Sequence, residues 1–355
     1  MKKTLVLLLA LTIILTLSAC GDGEVNSVPA LAPSGSQESL SDTGSEEASS
    51  DISSEEASSQ ESSSQESSSA ASSSKPSVPP TSSTVKQDPP VLINGTYTGR
   101  APLEAVEYTV FDTLNTRGLS TVHKGFSFGA AKNGQPHSIT VNNQNVFDGY
   151  NANSLAWDNK SGEKVLYLTF DCGYPYGDLV PRILDTLSQK QVKAAFFVTM
   201  QYLNEAPAMV ARMINEGHIV GNHTVNHPVC TKISREKLAS ELLGVDNRLR
   251  TQYGYESKYF RYPTGAYSED TLDLVKSLGY RSVFWSIAHA DWDPLAQPGV
   301  EKSFNTVTSR LHSGAVILLH STSPDNADIL ARFIDYAVAQ GYTFKSLDEY
   351  GFWVV

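Results

Sequence analysis

Cysteine is scarce in this chain, with three in 355 residues, at positions 20, 172 and 230. A disulfide framework is therefore excluded, because Cys172 and Cys230 allow one bridge at most. Long apolar runs are also missing. The longest, Leu5 to Leu17, falls short of the about 20 residues that a membrane-spanning helix needs. Basic residues are in deficit, 27 against 38 acidic ones for a net charge of −11, and this argues against nucleic acid as a partner. A Gly-rich phosphate loop is absent too, which weakens any nucleotide-binding reading.

The N-terminus carries Met1-Lys2-Lys3, then the apolar run, then Leu17-Ser18-Ala19-Cys20-Gly21. This order reads as a signal peptide over residues 1–20 with small residues at the cleavage site. The Leu-Ser-Ala-Cys order resembles the bacterial lipobox, in which the cysteine becomes the lipidated first residue. Cys20 is therefore expected to carry a lipid anchor, since a diacylated cysteine supplies the two chains that stable membrane attachment requires. An ordinary cleaved signal, with Cys20 incidental, is the alternative.

Residues 21–90 hold 12 acidic and two basic side chains, so the acidity of the protein belongs to this stretch. About half of the residues from 34 to 74 are serine, with near-repeats such as Gln60-Glu61-Ser62-Ser63-Ser64 and Gln65-Glu66-Ser67-Ser68-Ser69. Such a segment has nothing to bury and is expected to be a disordered tether with a reach of roughly 45 Å. It would hold a domain on the extracytoplasmic face of the membrane and let it reach into the cell wall.

Residues 91–160 alternate weakly and are rich in Gly and Asn, and they read as an irregular extension packed on the main domain. From Lys164 the pattern is regular. Expected strands at 165–171, 194–200, 218–222, 259–261, 281–286, 315–320 and 343–347 are separated by expected helices at 178–190, 204–216, 234–253, 268–278, 300–312 and 326–340. About seven βα units in so few residues fit a distorted (β/α)7-type barrel over residues 161–355 better than an open doubly wound sheet, which is the alternative.

In βα barrels chemistry gathers at the C-terminal strand ends. Here those ends carry Asp171, His223, Arg261 and His320, with Asp291 just beyond another. His223 and His227, four residues apart, would share one face of a helical turn and bind one cation. Any one of these residues alone is more simply a structural group, and a plain buried salt bridge between Arg261 and Asp291 is the alternative to a functional role for the two.

Five segments, Thr169-Phe170-Asp171-Cys172-Gly173, His223-Thr224-Val225-Asn226-His227, Arg261-Tyr262-Pro263-Thr264-Gly265, Asp291-Trp292 and Leu318-Leu319-His320, occur in the order of the five motifs of the polysaccharide deacetylase (NodB-homology, carbohydrate esterase 4) family. The chain resembles that family from about Lys164 to its C-terminus. Its resemblance extends to the branch that deacetylates N-acetylmuramic acid in peptidoglycan, en route to muramic δ-lactam. That finer likeness rests on His320-Ser321-Thr322-Ser323-Pro324-Asp325-Asn326-Ala327, on Gly173-Tyr174 followed by Gly177, and on Gly125 to Gly129. By this resemblance Asp171 is the base, His320 the general acid, and the backbone N–H of Thr264 part of the oxyanion hole. His223 and His227 would hold a divalent cation, zinc or another. Arg261 would orient Asp171 or close the cleft wall, while Asp291 would either favour the protonated form of His320 or pair with Arg261.

The chain departs from the family at Cys172, where most members have a metal-binding aspartate and the muramic acid branch has asparagine. A thiolate there would be a third ligand, whereas a neutral thiol would leave a weak two-histidine site. Cys230 would approach the metal, bridge to Cys172, or be a plain buried thiol. The motifs report chemistry rather than the sugar ring, so deacetylation of N-acetylglucosamine or of O-acetyl sugars is a second reading. A catalytically inactive glycan-binding lipoprotein is a third, which retention of both Asp171 and His320 opposes.

Overall fold

The computed structural model describes residues 91–351. The expected signal peptide, Cys20 and the tether over 21–90 lie outside the described residues.

The fold is built on one strand. β2 (Val165–Cys172; β1 is Ser154–Leu155) is buried along its whole length. It pairs in parallel with β3 (Ala195–Val198), β7 (Ala315–His320) and β8 (Thr343–Phe344). Its even-numbered side chains, from Leu166 to Cys172, join the apolar layer under the helices, and Val165 and Tyr167 join a second cluster with Phe197 and Val316 inside the curled sheet. This is the period-two alternation of a strand buried on both faces. Toward its C-terminal end the inner face turns polar, with Thr169 and then Asp171.

The remaining strands are β4 (Ile219–Asn222), β5 (Tyr259–Phe260) and β6 (Arg281–Val283). The sheet runs β1-β6-β5-β4-β3-β2-β7, and every pairing between these strands is parallel. Just past β6, Ile287 forms a parallel bridge with Ile317 of β7, held by Ser286 N–H to Val316 O and Leu318 N–H to Ile287 O, both 2.9 Å. The sheet thus curls into the distorted (β/α)7-type barrel expected from the sequence.

Among the described residues eight α-helices accompany the strands: α1 (Ser138–Gly149), α2 (Leu179–Lys190), α3 (Met200–Glu205), α4 (Pro207–Asn215), α5 (Arg235–Tyr253), α6 (Glu269–Ser277), α7 (Val300–Ser309) and α8 (Pro324–Ala339). Side-chain caps set several starts, including Thr199 for α3, Ser234 for α5, Ser268 for α6 and Ser323 for α8. The single helix expected over 204–216 is two. Pro207 lacks an N–H and pushes Ala206 out of helical geometry, so the chain breaks there and restarts with proline in the first turn. The strand expected to reach residue 200 stops at Val198, because Thr199 is already the cap of α3.

Residues 91–160 are more ordered than their composition suggests. They contain α1 and β1, and β1 adds itself to the sheet beside β6. α1 escapes sequence pattern because two of its three buried side chains are polar: Thr140 donates to Phe128 O, and Gln144 holds Ala156 N–H and Ser154 O. Upstream, irregular chain runs along α5 and α6. Leu103 N–H bonds Arg250 O, Asn247 bonds both backbone groups of Val106, and Lys124 forms an antiparallel bridge with Tyr267. Among the described residues no helix is long and apolar enough to cross a membrane.

Candidate active site

At the C-terminal ends of the strands lies an open cleft of about 1210 Å³, lined by Asp171, His223, His227, Thr264 and His320 among others. The registers explain the gathering. Asp171 of β2 is directly opposite His320 of β7, His223 follows the last residue of β4, and Arg261 follows the last residue of β5.

Arg261 is fully buried and reaches four groups. Its Nη1 donates to Asp171 Oδ1 at 2.8 Å, Nη2 to Thr169 Oγ1 at 2.9 Å and to Phe284 O at 3.2 Å, and Nε to Val283 O at 2.9 Å. Its guanidinium also lies 4.3 Å from the centre of the Phe197 ring. Gly221 makes room for that ring, because a Cβ at this position would collide with Phe197. Of the two sequence readings, Arg261 therefore orients Asp171, and its pairing with Asp291 is not observed. Burial alone would raise the Asp171 pKa, but the positive charge of Arg261, with the imidazoles of His223 and His320, holds it below the ordinary carboxylate value.

Asp291 instead clamps His320. Its Oδ1 accepts from the ring Nδ1 at 2.7 Å, and its Oδ2 accepts from the His320 backbone N–H at 2.8 Å. Asn326 Nδ2 adds a bond to Oδ2 at 2.6 Å. Burial pulls the His320 pKa down, yet the bond to Asp291 and its charge outweigh this and raise it above the ordinary histidine value. With Nδ1 committed to Asp291, Nε2 is the nitrogen left for a substrate.

His223 and His227 are brought together, with ring centres 4.8 Å apart, but not on a helical turn. Residues 223–227 form a loop in which Thr224 and His227 have φ of 73° and 51°. The loop is closed by side chains: Asn222 Oδ1 accepts from Thr224 N–H and Thr224 Oγ1 accepts from His227 N–H, each at 2.9 Å. A left-handed threonine is costly, and such backbone persists where the surroundings over-determine it. His223 Nδ1 lies 2.9 Å from Arg261 O, a carbonyl that only accepts, so Nδ1 carries the proton and Nε2 is a free lone pair. Burial pushes the His223 pKa down to about 4, keeping that lone pair available. His223 and His227 are the two imidazoles of the type that a divalent cation would take here, and the Asp171 carboxylate lies 3.6 Å from His223 Nε2.

Cys172 does not join them. Its side chain is buried in the apolar layer with Leu168 and Phe170, on the face of β2 away from Asp171, and burial pushes its thiol up to about 12. Among the described residues no three His, Cys, Asp or Glu side chains converge to hold an ion. Cys230 is likewise a buried free thiol, packed with Leu238 and Tyr262, and no bridge to Cys172 exists. Thr264 lines the cleft on a turn where it too has a positive φ, 57°.

Sequence pattern did not single out His289, Trp285 or Asn326 as site residues. His289 Nε2 bonds Asn326 Oδ1 at 2.9 Å beside Asp291, and Trp285 packs against Phe126 from the extension. A lone histidine or tryptophan carries no spacing signal, so only the fold reveals them.

Comparison with known proteins accounts for this arrangement. Residues 158–283 match the family profile described as Polysaccharide deacetylase. The chain is 37% identical over 225 residues to the peptidoglycan-N-acetylmuramic acid deacetylase PdaA of Bacillus subtilis, covering 63% of this chain and 84% of that one. The chain belongs to the polysaccharide deacetylase family. Its enzyme class is accordingly that of a hydrolase acting on carbon–nitrogen bonds outside peptides. It is also 33% identical over 198 residues to a peptidoglycan-N-acetylglucosamine deacetylase of Bacillus cereus, covering 55% of this chain and 92% of the relative. The solved structure of Bacillus subtilis PdaA, a family 4 carbohydrate esterase, superimposes with a TM-score of 0.61 at 35% identity, over 66% of this chain and 99% of that one.

The placement of Cys172 makes a direct prediction. In the folded protein the peptides containing Cys172 and Cys230 should resist iodoacetamide and label only in denaturant, and Cys172→Ala should change bound metal by less than about twofold. Rapid labelling of native Cys172, read by peptide mass spectrometry, or loss of the metal in Cys172→Ala, would restore it as a ligand.

Proposed function

We propose that the protein is a metal-assisted deacetylase of N-acetylmuramic acid in peptidoglycan. The observation that carries this reading is the pairing of Asp171 and His320 across two neighbouring strands, with opposite charge preferences, beside a histidine pair in an open cleft. Trp292, 61% exposed, and Tyr174, 38% exposed, line the cleft wall and offer flat surfaces of the kind that sugar rings stack on. The substrate class is supported by the similarity to PdaA, whose name specifies N-acetylmuramic acid.

Amide hydrolysis needs an activated water, a stabilised oxyanion and a protonated leaving amine. When bound, a divalent cation held by His223 and His227 supplies Lewis acidity toward the water and the acetyl carbonyl. Asp171, ionised beside Arg261, takes a proton from the water as its oxygen bonds to the acetyl carbon. The N–H of Thr264 donates to the oxygen on which negative charge grows. His320 then gives its Nε2 proton to the sugar nitrogen as the carbon–nitrogen bond breaks. Acetic acid and a free amine leave, and the proton on Asp171 returns to the imidazole through solvent.

Muropeptide mass spectrometry after incubation with the purified protein tests the reading. Muramic acid residues should lose acetyl groups, and Asp171→Asn and His320→Ala should each lower turnover by about 10²- to 10⁴-fold. Acetyl loss confined to glucosamine would overturn the sugar assignment, and near wild-type turnover in either variant would remove that residue's role.

The pH profile tests the division of labour. The base works above its lowered pKa and the acid works below its raised pKa, so the active window lies between them. Asp291→Asn removes the charge that raises the His320 pKa, and the alkaline limb of kcat/KM should move to lower pH. An unmoved limb would mean that His320 does not deliver the proton.

Attachment to the outer face of the membrane through Cys20 is also proposed, on the lipobox-like run and the serine-rich tether. Cys20→Ala is expected to release the protein from the membrane fraction or leave it as precursor. Unchanged membrane association with correct processing would sink the anchor.

A further inference from the structure

The cleft continues past the acid and base to one side of α7. Lys302, Thr306 and Arg310 line it there. Spaced by four, they form a stripe along the helix and its C-cap, each about 6 Å beyond the last. Ser303 and Val307, the buried residues of α7, lie on the neighbouring face of the helix, which packs on α8.

The charge of this stripe is not neutralised. Among the described residues the Lys302 side chain makes no hydrogen bond or ion pair, and the Arg310 side chain makes one bond, from Nη1 to Ala288 O at 2.7 Å. The acids around it are engaged elsewhere. Glu301 pairs with Arg332, Asp325 accepts from Gly299 N–H and Ser303 Oγ, and Asp291 holds His320 and Asn326. An anion is what two side-chain cations without an acidic partner, together with a hydroxyl, fit.

We propose that Lys302, Thr306 and Arg310 form a carboxylate-binding subsite that takes the lactyl carboxylate of N-acetylmuramic acid. The inference rests on the deacetylase reading above and deepens it, because N-acetylglucosamine has a hydroxyl where muramic acid carries the lactyl ether. Asp171, His320 and the histidine pair act on the acetamido group, which both sugars share, so they cannot tell the two apart. The stripe supplies the discrimination, and it acts on binding rather than on the chemical step. A site built to pair with a charged group rejects the ligand that lacks it, since its own polar groups are then left unmatched.

The test compares glycan strands bearing free lactyl carboxylates with the same strands after methyl esterification, using the full-length protein and reading KM and kcat separately. The wild type should show a KM lower by about tenfold or more for the free acid, with similar kcat. Lys302→Met should bring the two KM values together, and Lys302→Arg should keep them apart. Arg310→Met should act in the same direction, and thermal melting identifies any part of its effect that comes from losing the Ala288 contact. Retention of the full preference in Lys302→Met, or equal KM values in the wild type, would overturn the subsite while leaving the deacetylase reading intact. Turnover of N-acetylglucosamine oligomers with none of either muramic substrate would overturn both.

Discussion

The contact between Arg261 and Asp171 is the constraint on which the rest of this site depends. Both groups are buried, and removing two charges from water costs several kcal/mol per ion before any pairing is counted. The structure offsets this by saturating the guanidinium with a carboxylate, a hydroxyl and two backbone carbonyls. Those partners come from β2, from β6 and from Phe284 just beyond it, while Arg261 itself follows β5. The ion pair therefore fixes three parts of the barrel relative to one another, and does so at the strand ends where the cleft opens. Stripping one charge from such a pair leaves the other buried alone, so the local fold and the ionisation of Asp171 are one property.

Two carboxylates in one cleft are thereby given different tasks. Asp171 is neutralised from behind by a permanent cation and presents its other oxygen toward His223. Asp291 is fully buried and spends both oxygens on His320 and Asn326, so its charge is felt through the imidazole. The contrast arises from partners rather than from residue type.

Much of this was legible in the sequence because strands buried on both faces leave apolar runs that end abruptly in polar residues. Asp171, Arg261 and His320 stand at such ends, and the order of the motifs placed them together. Failures occurred where structure is set by side-chain to backbone bonds. The His223 to His227 loop has helical spacing but is shaped by Asn222 and Thr224. α1 buries a glutamine and a threonine, so it carries no hydrophobic period. Cys172 adjoins Asp171 in sequence, yet strand alternation sends it to the opposite face, and adjacency was the misleading signal. His289 and the cations of α7 gain meaning only from the cleft they line.

The pairing of β2 with β7 makes the barrel a ruler. Asp171 and His320 sit at matched positions of one hydrogen-bond ladder, where neighbouring parallel strands keep a spacing of about 4.8 Å. The loops that carry Trp292 and Tyr174 can lengthen or shorten, and the exposed face of α7 can change composition, without altering that span. A slip of one residue in the ladder would turn one of the two toward the helices instead. The rim of the cleft is thus free to drift, while the reach between Asp171 and His320 is set by backbone geometry that no single side-chain change can retune.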